Sequence, residues 1–390
     1  MSAGAETAPA PRLSMVAVVD HPARGSQVGI IAKRTYRVVG QRCVVLDEQV
    51  PIVEIPRLSE DQAMLLHDVD GVLNRQEVDV VIEGKARVLR PTPSFDLRLR
   101  VGNLDRKLRV FGTRVCYRGP GGRLRFSDPT PIEEVPLDWT SAYGGFDSVA
   151  LARHGDPLEG FCAEAKKPYN PRFGRYAYPR NRAGKGYLIE ATDEALERCG
   201  LPSIEEPLQL LSPDRLAIGS PDRWPAGPFV AGLGWLSYGN FPRSAMLGVP
   251  SPYDATACPP ASFFEVTVKA LNVESIAPHA PLQQRFDLRS AQQAALGMRT
   301  PSVAPGAPVS IVNAHPQKAS WDFTLARETP VLAIQMPGGR PISLDAKIRT
   351  VFVQPELDRV SVVWVGEHRE ATPVGPGKRS LIKYGVQWPG

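Results

Sequence analysis

The sequence predicts a mainly β, β-rich α+β fold: antiparallel sheets forming sandwich-like N- and C-terminal parts around an irregular middle, with few short helices. Three observations carry that expectation. Phe95 to Val101 alternates strictly, with Phe95, Leu97, Leu99 and Val101 on one face and Asp96, Arg98 and Arg100 on the other, the period of a strand with one wet face. Pro (39) and Gly (34) are frequent enough in the 390 residues to interrupt long helices, yet too few to signal wholesale disorder. Turn-forming clusters such as GNLD (Gly102–Asp105), RGPGGR (Arg118–Arg123) and MPGGRP (Met336–Pro341) punctuate the apolar runs, as hairpins require.

Taken in order, VGIIAKRTYRVV and QRCVVL flank Gly40 as a first hairpin. Ser59 and Gln62 match a capping box, so a helix of about two turns is expected over AMLLH, lying against a sheet. EVDVVIEGKARV (Glu77–Val88) reads as one strand, followed by the strand at Phe95 and, after GNLD, by RKLRVFGTRVCYR (Arg106–Arg118). The middle, from about Trp139 to Pro260, is rich in Pro, Gly, Tyr and Trp with little periodicity. Its one clear helix is DEALERCG, with Thr192 as cap and Gly200 as terminator. Beyond it FFEVTVKAL (Phe263–Leu271), TPVLAIQM, RPISLDAKIRTVFV and DRVSVVWVG read as strands, each bounded by breakers. A short helix is expected at SAQQAALG, with Ser290 as cap and Gly297 as stop. The regions are then a flexible tail at 1–12, a β-rich part at 13–138, an irregular middle at 139–260 and a second β-rich part at 261–390, able to pack as one unit.

Composition bounds the class. Hydrophobic residues are 43% and charged residues 22%, ordinary for a soluble globular protein. A net charge of +5 falls short of a polybasic nucleic-acid binder. No apolar run approaches the roughly 20 residues of a membrane span, and the first residues lack a secretory pattern. Five cysteines, widely spaced and odd in number, fit free thiols in a reducing cytoplasm, the expected location.

No motif announces catalysis. The six histidines are scattered, no Cys cluster or H-x-x-x-H pair suggests a metal, and no cofactor is expected. GLGWLSYG (Gly232–Gly239) lacks the spacing of a dinucleotide loop and reads as a tight turn buttressed by Trp235 and Tyr238. No G-x-S-x-G elbow is present.

Two stretches stand out as partner-binding candidates. PLDWTSAYGG carries Trp139, Tyr143, Gly144 and Gly145: either a core corner, or a rigid platform on which a partner's backbone meets the glycines. KKPYNPRFGRYAYPRNRAGKGYLI (Lys166–Ile189) has seven Lys and Arg, no acid, and interleaved aromatics. Its Tyr169, Arg172, Arg175, Tyr176, Tyr178 and Arg180 suit a protein interface. They also suit a single-stranded nucleic acid, or a loop whose tyrosines pack inward.

In sequence order these pieces resemble a bacterial family long catalogued as a domain of unknown function and encoded beside type VI secretion genes. The resemblance rests on AKRTYRV (Ala32–Val38), LDEQVPI, VDVVIEGKARV, LRVGNLDRKLRVFGTR, VPLDWTSAYGG, NPRFGRY, LPSIEEP and LDAKIRTVFVQPELDRVSVVWVG (Leu344–Gly366), and covers almost the whole chain. Cys116 and Val365 depart from its pattern. It implies a non-enzymatic cytoplasmic adaptor or chaperone that binds a secreted effector, often PAAR-linked, and loads it onto the VgrG spike. A hydrolase acting on cell-envelope material is the alternative expectation, and a single-stranded nucleic-acid binder the third.

Overall fold

The computed structural model describes residues 12–21, 25–73, 75–228, 230–237, 240, 293–295 and 297–389. As expected, the fold is mainly β. In place of separate antiparallel N- and C-terminal sandwiches it is built on one large curled mixed sheet of twelve strands. From one edge its order is Ile204–Glu205, Leu104–Phe111, Ser94–Val101, Pro308–Val312, Ser320–Thr324, Arg42–Val45, Gly25–Val39, Arg359–Glu370, Lys347–Gln354, Val78–Ile82 and Arg299–Thr300. Ser14–His21 adds to the side of Gly25–Val39 that also carries Arg42–Val45.

Strands from both ends of the chain are interleaved in this sheet. Pro308–Val312 lies between Ser94–Val101 and Ser320–Thr324. Gly25–Val39 forms its longest ladder with Arg359–Glu370, from Ser26 opposite Glu370 to Arg37 opposite Arg359. Their sequences explain why. Arg359–Glu370 is a nearly unbroken buried run, the composition of a strand covered on both faces. Ser94–Val101 alternates and buries only its apolar face. Its polar face is covered by charge pairs, including Arg98 with Asp105 and Lys107 with Asp96.

The two hairpins expected around Gly40 and GNLD form with the registers their turns dictate. Several elements differ from expectation. RKLRVFGTRVCYR and RPISLDAKIRTVFV each divide into two strands that join different sheets. No helix forms over residues 63–67: Arg57–Leu58 and Leu65–His67 pair as a small antiparallel hairpin. Gln62 adopts a φ of 58°, and Ser59 Oγ donates to Asp61 and accepts from the Met64 amide. The capping residues therefore close a turn, since their short side chains serve either structure. The Glu77–Val88 run divides at Gly84 into Val78–Ile82 and Lys85–Thr92. The expected strand Phe263–Leu271 lies outside the described residues, as do four of the eight residues of the expected Ser290–Gly297 helix; the four that are described are not helical. Within the latter, Ala294 bridges Trp235 antiparallel.

The middle region packs beside the sheet and has its own core. Helices α1 (Ser148–His154), α2 (Pro157–Glu164) and α3 (Asp193–Arg198) are each opened by a capping side chain: Asp147, Asp156 and Thr192. The first two were missed in the sequence. Their core gathers Tyr143, Tyr178, Tyr187, Leu196, Leu216 and Trp224. A three-stranded sheet, Val331–Gln335 with Pro341–Leu344 and Lys383–Gln387, covers the far side of the long ladder. Among the described residues no helix is long and apolar enough to cross a membrane.

Candidate partner-binding groove

The PLDWTSAYGG corner is the hinge between the two cores. Asp138 accepts a hydrogen bond from the Thr140 amide at 2.9 Å and caps the single turn Trp139–Ser141. That turn drives the Trp139 indole inward, where only 5% of it stays exposed. Its Nε1–H donates to the Trp235 carbonyl at 2.7 Å, and Gly232 lies flat against its six-membered ring. Gly144 and Gly145 hold φ values of 150° and 88°. A side chain on either would collide with the backbone of Asn181 or Gly184. The chain that closes on these glycines is thus the protein's own: Tyr143–Gly144 pairs in parallel with Lys185–Gly186. Asn181, fully buried, donates to the carbonyls of Trp139 and Tyr143.

On the sheet side of this corner opens a groove of about 370 Å³, within the range of cavities that hold a small ligand or a cluster of side chains. Trp139, Trp235, Leu65, Ile82 and Leu137 form its buried apolar surface. Leu66, half exposed, forms a lip with the partly buried Met64, and Arg57, Glu83 and Asp138 stand at the rim. No Ser, Thr, Cys, His or Lys is among the lining residues. Behind the floor His67 is packed between Trp235 (centroids 5.1 Å apart) and Phe352 (5.0 Å). Its Nδ1–H donates to the Asp68 carbonyl at 2.8 Å, and its Nε2 has no partner among the described residues. Burial, and secondarily the Lys33 ammonium, push this imidazole's pKa below its ordinary value.

The basic aromatic segment is placed alongside. Tyr176 and Tyr178 are buried, as is Tyr187. Tyr178 meets Tyr143 edge to face at 5.1 Å and lies 5.0 Å from Tyr187. Its hydroxyl donates to the Pro228 carbonyl at 2.6 Å. Burial raises the pKa of Tyr143, Tyr178 and Tyr187 alike. Arg180 lies over the Trp224 ring and donates to the Tyr178 hydroxyl. Tyr169 is half buried and donates to Asp156. Arg175 is the exposed member, 3.9 Å from Asp222. Arg172 pairs with Asp61 at 2.9 Å, and Asn170 donates to the Asp61 carbonyl.

Among the ten candidate residues, then, Trp139 lines the groove, while Tyr143, Gly144, Gly145, Tyr176 and Tyr178 build the internal corner. Arg172 reaches the Ser59–Met64 turn, whose far side leads into the groove's lip. Tyr169, Arg175 and Arg180 lie partly at the surface. The lip residues Met64 and Leu66 are hidden in the sequence, where AMLLH reads as a helix face.

A family model described as an uncharacterized protein conserved in bacteria (DUF2169) matches residues 23–365. No curated protein and no solved structure matches the chain.

Proposed function

The chain belongs to the DUF2169 family of bacterial proteins, and we propose that it is an adaptor that grips another polypeptide and does not transform a small molecule. The observation that carries this reading is the groove. An apolar cleft with an exposed leucine lip and charged rim suits a side-chain cluster of an extended or hairpin segment. Among the described residues its lining offers no hydroxyl, thiol, amine or imidazole, and its two carboxylates, Asp138 and Glu83, already accept from the Thr140 amide and the Gln354 side chain, which supports binding over turnover. The inward tyrosines of the basic segment leave few rings on which bases could stack, which favours a protein partner over a nucleic acid. The motif resemblance supports a specific role: a chaperone for a secreted effector of the type VI system, PAAR-linked, delivered to the VgrG spike.

The test is co-purification with the effector encoded beside its gene, using the native chain, Leu66→Glu and Arg175→Glu. Leu66→Glu places a charge on the half-exposed lip without entering the core, so capture should fall at least tenfold while the thermal midpoint is kept. Full capture by a Leu66→Glu, Met64→Glu double variant that remains folded would remove the groove from the reading. Loss with Arg175→Glu alone would move the contact to the basic surface.

A further inference from the structure

We propose that a second cavity, on the opposite side of the Tyr143–Gly145 corner, binds a small phosphate-type oxyanion. The cavity measures about 140 Å³, several times the roughly 30 Å³ that a water occupies, and so admits a tetrahedral anion with part of its hydration. It is lined by three cations, Arg172, Lys185 and Arg198, and by one carboxylate, Asp147. Backbone at Gly144 and Gly186 forms part of its wall.

Within the lining three cations face one carboxylate, and Lys185 is the cation whose charge is least met. Asp147 is buried and its oxygens are already committed. Oδ1 accepts from the amides of Val149 and Ala150 at 3.0 and 2.9 Å, and Oδ2 from the Ile189 amide at 2.8 Å. Lys185 is partly buried, and its ammonium donates to the Ser203 hydroxyl at 3.1 Å. Among the described residues no carboxylate reaches it at ion-pair distance. Burial and the neighbouring Arg114 lower its pKa against a smaller opposing pull from Asp138. Among the described residues Arg198 pairs across the surface with Glu194 on its own helix, an arrangement of little strength. Arg172 extends over the Phe146 ring, itself part of the lining, and pairs with Asp61 beyond the lining at 2.9 Å. A bound oxyanion would accept charge-assisted hydrogen bonds from these groups and give Lys185 a counter-charge at ion-pair distance.

The cavity shares no lining residue with the groove. Inorganic phosphate titrated into the full chain at constant ionic strength, read by calorimetry and by the thermal midpoint, tests it, with sulfate as a second arm and chloride as the salt control. The expected result is a saturable heat and a saturable rise in midpoint with phosphate, absent with chloride. The apparent Kd should weaken at least fivefold in Lys185→Gln and binding should vanish in Lys185→Gln, Arg198→Gln. Arg198→Gln alone changes a surface residue, so its weakened binding in a chain with the native midpoint separates site loss from misfolding. A non-saturating response equal to that of chloride, or native affinity in the folded double variant, would overturn the proposal.

Discussion

Gly232→Ala is the sharpest probe of the corner on which the groove rests. A methyl group at this position would sit 2.6 Å from Cη2 and 2.7 Å from Cζ3 of Trp139, well inside van der Waals contact. The indole cannot swing away: it is buried and its Nε1–H is bonded to the Trp235 carbonyl. Overpacking a fixed ring of this kind costs about 1–3 kcal/mol. Trp139→Phe removes the atoms in collision but leaves the Trp235 carbonyl without its donor and opens a void, together about 2–4 kcal/mol. In the double variant the collision is gone and the methyl group fills part of the void. Its loss should therefore fall short of the sum of the two single losses by about 1–2 kcal/mol, a coupling typical of residues in contact. Urea unfolding followed by circular dichroism measures all three, with equal slopes as the check that the transitions are comparable. Additivity within about 0.5 kcal/mol, or a Gly232→Ala chain as stable as the native one, would refute the argument.

Two further predictions concern stability. Asp147→Ala strips the cap from α1 and orphans three buried amides, including that of Ile189. The loss of stability by urea unfolding should reach about 3 kcal/mol, whereas an exposed cap such as Asp138→Ala should cost about 1 kcal/mol. His67 gives a pH signature. Its folded pKa lies below the ordinary 6.5 because burial and Lys33 disfavour the imidazolium, against a smaller opposing pull from Asp70. The unfolded chain therefore binds the proton more readily, and stability is complete above about pH 6.5 and declines as pH falls through and below it. His67→Gln should flatten that part of the stability–pH curve, and an unchanged slope between pH 7 and 5 would exclude His67 as its source.

The strands were legible because their signal is local. Phe95–Val101 and the Gly40 hairpin display period and turn within a dozen residues, and register follows from both. The capping pair Ser59 and Gln62 misled, because a Ser that can cap a helix can equally close a turn. Helices α1 and α2 were missed although Asp147 and the Asp156–Pro157 pair are ordinary start signals. At under three turns each they offer too little apolar period to stand out. The groove was not legible at all. It is assembled from the segments around Arg57–Leu66, Val81–Gly84, Leu137–Trp139 and Gly234–Trp235, which only the tertiary fold brings together. The tyrosines of the basic segment carried an ambiguous signal, since an aromatic at an interface and one in a core have the same composition. The glycine pair at 144 and 145 did announce a close backbone approach, but not whose backbone.

The ladder between Gly25–Val39 and Arg359–Glu370 sets a timetable for biosynthesis. One side of the early strand is served by near neighbours, Ser14–His21 and Arg42–Val45. The other waits for residues such as Val360, the mate of Tyr36. At ribosomal rates of about 5–20 residues per second, that wait lasts on the order of tens of seconds. Throughout it the nascent chain presents an open, apolar edge of the kind that recruits stray strands. A transcript truncated before codon 359 would yield a product unable to close its central sheet. Quality-control proteases should remove it, however complete its groove-forming segments are.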